Sequence, residues 1–185
     1  MKDKNIIVDN SFATRSVYSR AACIYKMMPQ GVFFPKTEDD FLLILDYARK
    51  RGISLTMRGG GSGLAGQSLG TGIIVDHSRF LKRFEIKEDF EVISSMGVVL
   101  SHLNRLLAER NLFFPPDPSS SDFCTIGGMI GNNSKGARSV KYGGTLKHIN
   151  YLELLLADGT LVRVENKGLK PYEFKNNKLK QVAEL

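Results

Sequence analysis

The stretch Met57-Arg-Gly-Gly-Gly-Ser-Gly-Leu-Ala-Gly-Gln-Ser-Leu-Gly-Thr-Gly72 contains seven glycines in sixteen residues. It lies between two apolar runs that we predict to be strands, Ile53–Met57 and Ile73–Asp76. Because glycine tolerates positive φ and has no side chain, such a loop brings several backbone N–H groups close to a ligand. N–H groups that converge on one concavity bind anions, phosphate in particular. The loop therefore predicts a site for a ligand that carries phosphate.

A dinucleotide-binding pattern occurs inside this loop. Gly61-Ser-Gly-Leu-Ala-Gly66 follows a predicted strand and fits the G-x-G-x-x-G pattern of nicotinamide dinucleotide sites. That pattern requires a helix that begins at the loop. The residues from Gln67 to Gly72 are too few for a crossover helix before the next strand. We therefore predict strand, glycine loop and strand, and reject a nicotinamide site. No Gly-Lys-Ser/Thr follows, which excludes a Walker A loop.

The size and composition of the chain limit which classes of protein it can belong to. Its 185 residues allow one medium domain or two small lobes, and 42% of them are hydrophobic, which is enough for a core. The apolar runs are too short to span a bilayer, and Met1–Asp9 lacks the long apolar part of a signal peptide. Cys23 and Cys124 have no disulfide or zinc spacing. We expect a cytoplasmic protein with no transmembrane segment and no metal site.

The net charge of +7 is typical of some nucleic-acid-binding proteins. No zinc-finger spacing, RNP-type aromatic motif or basic helix accompanies it. Several lysines fall between Lys167 and Lys180, a pattern that indicates a solvated tail. A basic surface around a small anionic ligand is the simpler interpretation, and we expect no nucleic-acid partner.

Periodicity and turn signals predict a mixture of helices and strands. Gly31–Pro35, Thr37–Arg51 and Ile53–Met57 predict a strand, a helix that starts with a capping box at Thr37–Asp40, and a second strand. The glycine loop leaves the carboxyl end of this βαβ unit, where open α/β sheets bind ligands. The other predicted elements are a short helix near Ser16–Met28, strands Lys82–Lys87 and Glu91–Met96, an amphipathic helix across Leu100–Leu107, and a hairpin of Tyr151–Ala157 and Thr160–Val164.

A proline-stiffened segment leads to a second glycine-rich segment. The motifs, in order, are Arg58-Gly-Gly-Gly-Ser-Gly-Leu-Ala-Gly-Gln67, Val75-Asp-His-Ser-Arg79, Pro115-Pro-Asp-Pro-Ser-Ser120, Thr125-Ile-Gly-Gly-Met-Ile-Gly-Asn-Asn133, and Lys141-Tyr-Gly143 through Leu156-Ala-Asp-Gly159. Together they resemble the FAD-binding domain of the FAD-linked oxidase family (PCMH or vanillyl-alcohol oxidase type), closest to its glycolate oxidase and D-lactate dehydrogenase branch. The resemblance implies an α+β domain with FAD between a βαβ-containing first lobe, residues 1–81, and a mixed or antiparallel second lobe, residues 82–185.

By position in these motifs, the resemblance implies a set of cofactor-binding residues. Those of the first loop hold the pyrophosphate and close around it: Gly59, Gly60, Gly61, Ser62, Gly63, Gly66, Gln67 and Ser68. Those of the middle motif run along the flavin: Pro116, Asp117 and Ser119. Those of the second segment contact the flavin, its ribityl chain or the phosphates: Thr125, Gly127, Gly128, Asn132, Asn133 and Ser134. Arg58 contacts phosphate or flavin, or satisfies a nearby carboxylate.

The same resemblance implies a flavin-dependent dehydrogenase or oxidase of a D-2-hydroxy acid such as lactate, glycolate or 2-hydroxyglutarate. A base elsewhere takes the hydroxyl proton while the hydride passes to FAD. The chain identifies no catalytic residue and leaves the electron acceptor open. Arg138, Lys141 and Tyr142 either face an anionic substrate or form a solvated rim. The alternative is a non-catalytic nucleotide- or phosphate-binding module.

Some residues depart from the family pattern. Covalent flavin attachment in the superfamily uses a His near the first loop or a Cys before the second segment. The first loop has no His, and Cys124 is one place away from the family's linking Cys, so we expect non-covalent FAD.

His77 stands where an apolar residue is usual; like His102 and His148 it is expected at the surface or satisfied in the core. Gly60 is expected to take positive φ beside the ligand. No substrate cap domain is found, so we expect a fragment that is inactive alone.

Overall fold

The computed structural model describes residues 6–166. The helices are α1 (Phe12–Tyr18), α2 (Asp39–Arg51), α3 (Leu100–Ala108), α4 (Ile126–Gly131) and α5 (Ser139–Tyr142), with a 3₁₀ helix at Thr145–His148. The strands are β1 (Gly31–Phe33), β2 (Leu55–Arg58), β3 (Ile73–Asp76), β4 (Phe84–Ile86), β5 (Val92–Ser94), β6 (Tyr151–Leu155) and β7 (Leu161–Glu165). Helices and strands are mixed, as the predicted α+β class requires.

A three-stranded parallel sheet presents the glycine loop. Its strand order is β1-β3-β2, with Val32 and Thr56 both paired to Ile74. The predicted βαβ unit is confirmed, but β3 inserts between its two strands. Every residue of β3 is buried because strands flank it on both sides and the chain covers both faces. The loop joins β2 to its parallel neighbour β3 without a helix, which confirms the predicted strand, loop and strand.

Helix α2 follows its sequence signals closely. Phe41, Ile44 and Ala48 recur at helical spacing and are buried. The Asp40 carboxylate accepts the backbone N–H of Thr37 at 3.0 Å, which is the returning half of the predicted capping box. Gly52 ends the helix in the left-handed region with φ 64°, and its N–H donates to the carbonyls of the last turn.

The predicted helix near Ser16–Met28 is wrong, because the first helix lies earlier, at α1. The Ser11 hydroxyl caps α1 by accepting the N–H of Thr14 at 3.3 Å. The residues after α1 form other bonds: the N–H of Ala22 donates to the Gly61 carbonyl at 3.0 Å. This segment therefore packs against the glycine loop instead of continuing the helix.

A hydrophobic core lies under β4, β5, α3 and α4. Its buried members are Val98, Leu100, Leu103, Leu107, Cys124, Ile126 and Met129. The predicted pair of short strands and the amphipathic helix are both confirmed: β4 and β5 pair antiparallel, and α3 buries one leucine-rich face. This core fixes the position of α4, which begins the second glycine-rich segment.

The described residues fall into two compact units, one that ends at His148 and another that begins at Ile149. The second unit contains the predicted hairpin, β6 and β7, with Gly159 at φ 87° in the turn. The two lobes expected from the sequence, residues 1–81 and 82–185, stay a prediction. The lysines predicted as a solvated tail, Lys167 to Lys180, lie outside the described residues. Nowhere between residues 6 and 166 is a helix long and apolar enough to cross a membrane.

Candidate functional site

The two glycine-rich parts of the sequence touch each other in the fold. We call residues 59–72 the first glycine loop and residues 125–136 the second glycine segment. A Cβ atom added at Gly59 would overlap the Thr125 hydroxyl, and one added at Gly60 would overlap the carbonyl oxygen of Phe123. Only glycine permits this approach of one main chain to another. Motifs more than sixty residues apart in sequence therefore form one surface.

The close contact at Gly60 corrects one sequence prediction. Positive φ occurs at Gly61 (65°) and Gly66 (80°) in the loop, and not at Gly60. Glycine is required at position 60 because the Phe123 backbone occupies the place of a side chain, not because of its dihedral angle or a ligand path. Gly61 instead lies against the Arg58 guanidinium, 2.7 Å from Nη2 to a Cβ built there.

Thr125 organises the start of α4. Its backbone is extended, with φ −98° and ψ 154°, and its Oγ1 accepts the N–H of Gly128 at 3.3 Å. This is a side-chain N-cap, which satisfies one of the free N–H groups of the first turn. Gly127 faces inward instead: its N–H donates to the Met96 carbonyl at 2.9 Å. Packing accounts for glycine at 127, whereas capping accounts for Thr125.

His77 lies buried beside this cap. Its Nε2 is 3.4 Å from Thr125 Oγ1, and only 4% of the residue is exposed. Burial lowers the pKa of His77, and the nearby Asp76 carboxylate opposes that shift. Nδ1 is buried without a hydrogen-bond partner among the described residues. Of the two predicted placements, at the surface or satisfied in the core, His77 takes the core position, but only one of its two ring nitrogens has a partner among the described residues.

A second polar bridge joins the two glycine-rich parts on their exposed side. Gln67 Nε2 donates to Asn132 Oδ1 at 3.1 Å, and Asn132 Nδ2 donates to the Gly128 carbonyl at 3.0 Å. Gly63 leaves room for the Gln67 amide, which a Cβ there would overlap. Two residues that the sequence placed in one site are thus in direct contact.

Ser68 is the buried polar residue of the first glycine loop. Its Oγ has no hydrogen-bond partner in the part of the chain that the structure describes. Leu69 beside it is buried in apolar surroundings, and Gly66 lies under the Tyr25 ring. A buried hydroxyl without a partner is uncommon and costs stability, so Ser68 Oγ has hydrogen-bonding capacity left for a ligand.

Arg58 ends β2 next to a tyrosine and a buried carboxylate. Its guanidinium lies over the Tyr18 ring at 4.9 Å, and Nη1 donates to the Tyr18 carbonyl at 3.3 Å. The Tyr18 hydroxyl donates to Asp76 at 2.5 Å; burial and this contact raise the pKa of Tyr18. Asp76 also accepts from Ser78, while Arg58 has no ion pair among the described residues. The guanidinium therefore keeps donors for an anionic ligand.

The remaining predicted site residues have mixed surroundings. Asp117 forms an ion pair with Arg138 at 3.4 Å, and its main chain lies against Gly136. Asn133 has φ 43° and its Oδ1 accepts the N–H of Leu146, so this side chain serves the 3₁₀ helix. The Ser134 carbonyl accepts from Thr145. Pro116 is buried, whereas Ser119 is exposed. An internal hydrogen bond thus occupies Asn133 and an ion pair occupies Asp117, whereas Arg58 forms no ion pair among the described residues.

The structure limits the reactivity of three titratable side chains that were considered from the sequence. Burial raises the pKa of the Cys124 thiol, which disfavours a reactive thiolate. One ring nitrogen of His148 is bonded to the Tyr142 carbonyl at 3.0 Å, and the ring packs edge-on against Phe114. The Tyr142 ring packs edge-on against Phe113. Within residues 6–166 no group of three or more His, Cys, Asp or Glu could hold a metal ion.

A cleft of about 560 Å³ opens between α1 and the carboxyl ends of β1 and β3. Tyr18, Asp76 and Arg79 line it, and Arg79 lies over the rings of Phe34 and Phe80. None of its lining residues belongs to the first glycine loop or the second glycine segment. We take as the candidate site the surface where the two glycine-rich parts meet, which has the Arg58 guanidinium against Gly61 and the buried polar atoms of Ser68 and His77 nearby in the chain.

Comparison with known proteins identifies the family to which the chain is similar. The family described as FAD binding domain matches residues 29–165, which include both glycine-rich parts. D-2-hydroxyglutarate dehydrogenase of Haemophilus influenzae is 35% identical over 84% of this chain and 16% of its own length. Glycolate oxidase subunit GlcD of Bacillus subtilis is 35% identical over 88% of this chain and 35% of its own length.

A solved structure has the same fold. Physcomitrella patens BBE-like 1 superposes with a TM-score of 0.77 over 89% of this chain and 37% of its own, at 22% identity. This likeness confirms the predicted PCMH-type architecture. The chain spans well under half the length of each of these proteins.

Proposed function

The chain belongs to the FAD binding domain family of FAD-linked oxidases, and from this membership we propose that it carries the flavin of a D-2-hydroxy-acid dehydrogenase. FAD is the cofactor of this family. The single observation that supports the location is the contact between the first glycine loop and the second glycine segment at Gly59 and Thr125. This contact joins parts of the chain on both sides of residue 81, in keeping with the proposed two-lobed arrangement.

The donor set at this contact fits FAD. A dinucleotide carries a pyrophosphate and a hydroxyl-rich ribityl chain, which need many donors and a cation. The loop supplies backbone N–H groups, and Arg58 supplies a guanidinium without an ion pair among the described residues. Ser68 Oγ and His77 Nδ1 are buried polar atoms that still lack partners in the described chain. The loop backbone, Arg58 and Ser68 would hold the cofactor.

The chain's own residues would bind the cofactor and orient it. When bound, FAD accepts the hydride that leaves the hydroxyl-bearing carbon of the acid, while a base takes the hydroxyl proton. The contact of Thr125 with Gly59 and the bond from Gln67 to Asn132 hold the two glycine-rich parts together, which would set where a cofactor on this surface rests. Such fixed spacing raises a rate by orientation. We assign no base among these residues.

We propose that the flavin is held without a covalent bond. The first glycine loop contains no histidine. Cys124 is buried and its thiol pKa is raised, so it is poorly suited to form a thioether. Acid precipitation of the loaded protein should release all flavin into the supernatant. Flavin that stays with the pellet would contradict this attachment mode.

The relatives' names support the substrate class. D-2-hydroxyglutarate dehydrogenases of Haemophilus influenzae and Pantoea ananatis are 35% and 40% identical to the chain, and a glycolate oxidase subunit is 35% identical. We therefore propose a small D-2-hydroxy acid of the lactate, glycolate or 2-hydroxyglutarate type. A cytoplasmic location stays a prediction, and the electron acceptor is not assigned.

Two measurements test the proposal. Titration of the 185-residue chain with FAD should give saturable quenching of flavin fluorescence and a perturbed visible spectrum. The product of the complete reading frame that contains this chain should then be mixed anaerobically with D-2-hydroxyglutarate, D-lactate and glycolate. We expect bleaching of the flavin by at least one of them and none by L-2-hydroxyglutarate or L-lactate. FAD binding without bleaching by any acid would favour the non-catalytic nucleotide-binding module instead.

A further inference from the structure

His77 lies where β2, β3 and α4 meet. Its backbone N–H donates to the Arg58 carbonyl at 3.1 Å, so the residue is held at the end of the sheet. A Cβ added at Gly97 would overlap the His77 carbonyl oxygen, which shows how tightly the backbone is enclosed. A Cβ added at Gly59 would lie 3.2 Å from Nε2. The imidazole therefore fills the space between the first glycine loop and the Thr125 cap.

The hydrogen bonds around Thr125 indicate the form of the ring. Thr125 Oγ1 already accepts the N–H of Gly128, which leaves its own hydrogen to donate. Nε2 of His77, at 3.4 Å, is the acceptor within reach. These bonds fit a neutral imidazole in which Nε2 accepts from Thr125 and the proton lies on Nδ1, the ring nitrogen that lacks a partner among the described residues.

Stability alone does not account for this histidine. The bond to Thr125 is long, and a long bond contributes little. Burying Nδ1 without a partner costs more than such a bond returns. An apolar side chain of similar size would avoid that cost. Residues that weaken the fold locally are expected at functional sites.

We infer that His77 is a positioning residue for the cofactor: through Nε2 it holds the Thr125 hydroxyl, and with it the start of the second glycine segment, at the spacing from Gly59 that FAD requires. This inference rests on the proposed FAD site. His77 acts through Thr125, so the group that matters is the one at the Nε2 position. A direct contact with the cofactor through Nδ1 is the competing explanation.

Two isosteric amides separate these explanations. In His77→Gln the amide reaches the Nε2 position, whereas in His77→Asn it reaches only the Nδ1 position. We expect His77→Leu and His77→Asn each to raise the Kd for FAD about tenfold, because Thr125 and the start of α4 then lose their fixed position. His77→Gln should stay within about threefold of the unchanged chain. The matched control is His102→Gln, because His102 is an exposed histidine on α3.

Each Kd is measured by flavin fluorescence on the 185-residue chain, with circular dichroism and a thermal melt without FAD for every variant. His77→Leu should melt no earlier than the unchanged chain while it binds FAD more weakly, a combination that a purely structural role would not produce. The inference is overturned if His77→Leu binds FAD as tightly as the unchanged chain, or if His77→Asn restores binding and His77→Gln does not. An unchanged chain that fails to bind FAD at all would instead reject the proposed function.

Discussion

Gln67 and Asn132 are 65 positions apart in the sequence, yet the amide of one donates to the amide of the other at 3.1 Å. The bond lies at the exposed edge of the surface where the two glycine-rich parts meet. The buried contact beneath it is made by Gly59, His77 and Thr125. The two parts are thus joined by an exposed hydrogen bond and by a buried contact. Substitutions in these two places are expected to change stability and FAD binding by different amounts.

The exposed bridge should contribute little to stability and measurably to binding. We expect Gln67→Ala to change the free energy of unfolding by less than about 0.5 kcal/mol, because solvent replaces the lost bond. It should raise the Kd for FAD about threefold to tenfold. A double-mutant cycle with Asn132→Ala, read by FAD titration, should give a nonzero coupling free energy. Strictly additive effects would show that the two amides act independently.

Glycine at position 60 should be indispensable to the fold. Gly60→Ala places a methyl group on the Phe123 carbonyl, and such overpacking costs about 1–3 kcal/mol. The control is Gly131→Ala at the end of α4, where no atom lies within 4 Å of a built Cβ. That change should stabilise by roughly 0.5–1 kcal/mol because alanine restricts the unfolded chain. Urea unfolding measures both, and equal midpoints for the two variants would refute the contact.

The helix-capping hydroxyl of Thr125 should contribute to stability and to FAD binding. Thr125→Val keeps the shape of the side chain but removes the oxygen that accepts the Gly128 N–H. We expect a loss of about 1 kcal/mol in the free energy of unfolding together with weaker FAD binding. Thr125→Ser keeps the hydroxyl and should retain most of both properties. If the serine variant is as weak as the valine variant, the methyl group and not the cap explains threonine here.

Stability should depend on pH through His77. Burial lowers the pKa of His77 from its usual 6.5, and Asp76 opposes this shift without reversing it. The unfolded chain then binds a proton that the folded chain does not, so stability rises with pH across this window. As pH falls below about 6.5, the free energy of unfolding should decrease, and it should decrease less in His77→Leu. Urea unfolding from about pH 5 to 8 tests this; identical slopes for both proteins would contradict it.

Local signals in the sequence were sufficient for much of the fold. The glycine loop between two strands, α2 with Gly52 at its end, and the Asp158-Gly159 turn are each specified by neighbouring residues. The insertion of β3 between β1 and β2 was not predictable from neighbours, since it depends on pairing between Ile74 and both Val32 and Thr56. Tertiary pairing, not propensity, decides strand order.

The candidate site was only partly predictable for the same reason. Helix α4 was hidden because glycine is a poor helix former, and Ile126 and Met129 stabilise it through the core below. The reason for glycine at 60 lies at Phe123, which no local pattern connects to it. His77 resembled an isolated histidine until the fold placed Thr125 beside it. Motif order located the site, but long-range contacts define its geometry.

The approach of Gly60 to the Phe123 carbonyl also has an evolutionary consequence. The contact uses a main-chain oxygen at one end, so it is indifferent to the side chain at position 123, which is 69% exposed. At the other end it admits no side chain at all. The two positions therefore differ in their tolerance of substitution. Position 123 can accept side chains that leave its backbone in place, while position 60 can change only if the backbone at Phe123 moves.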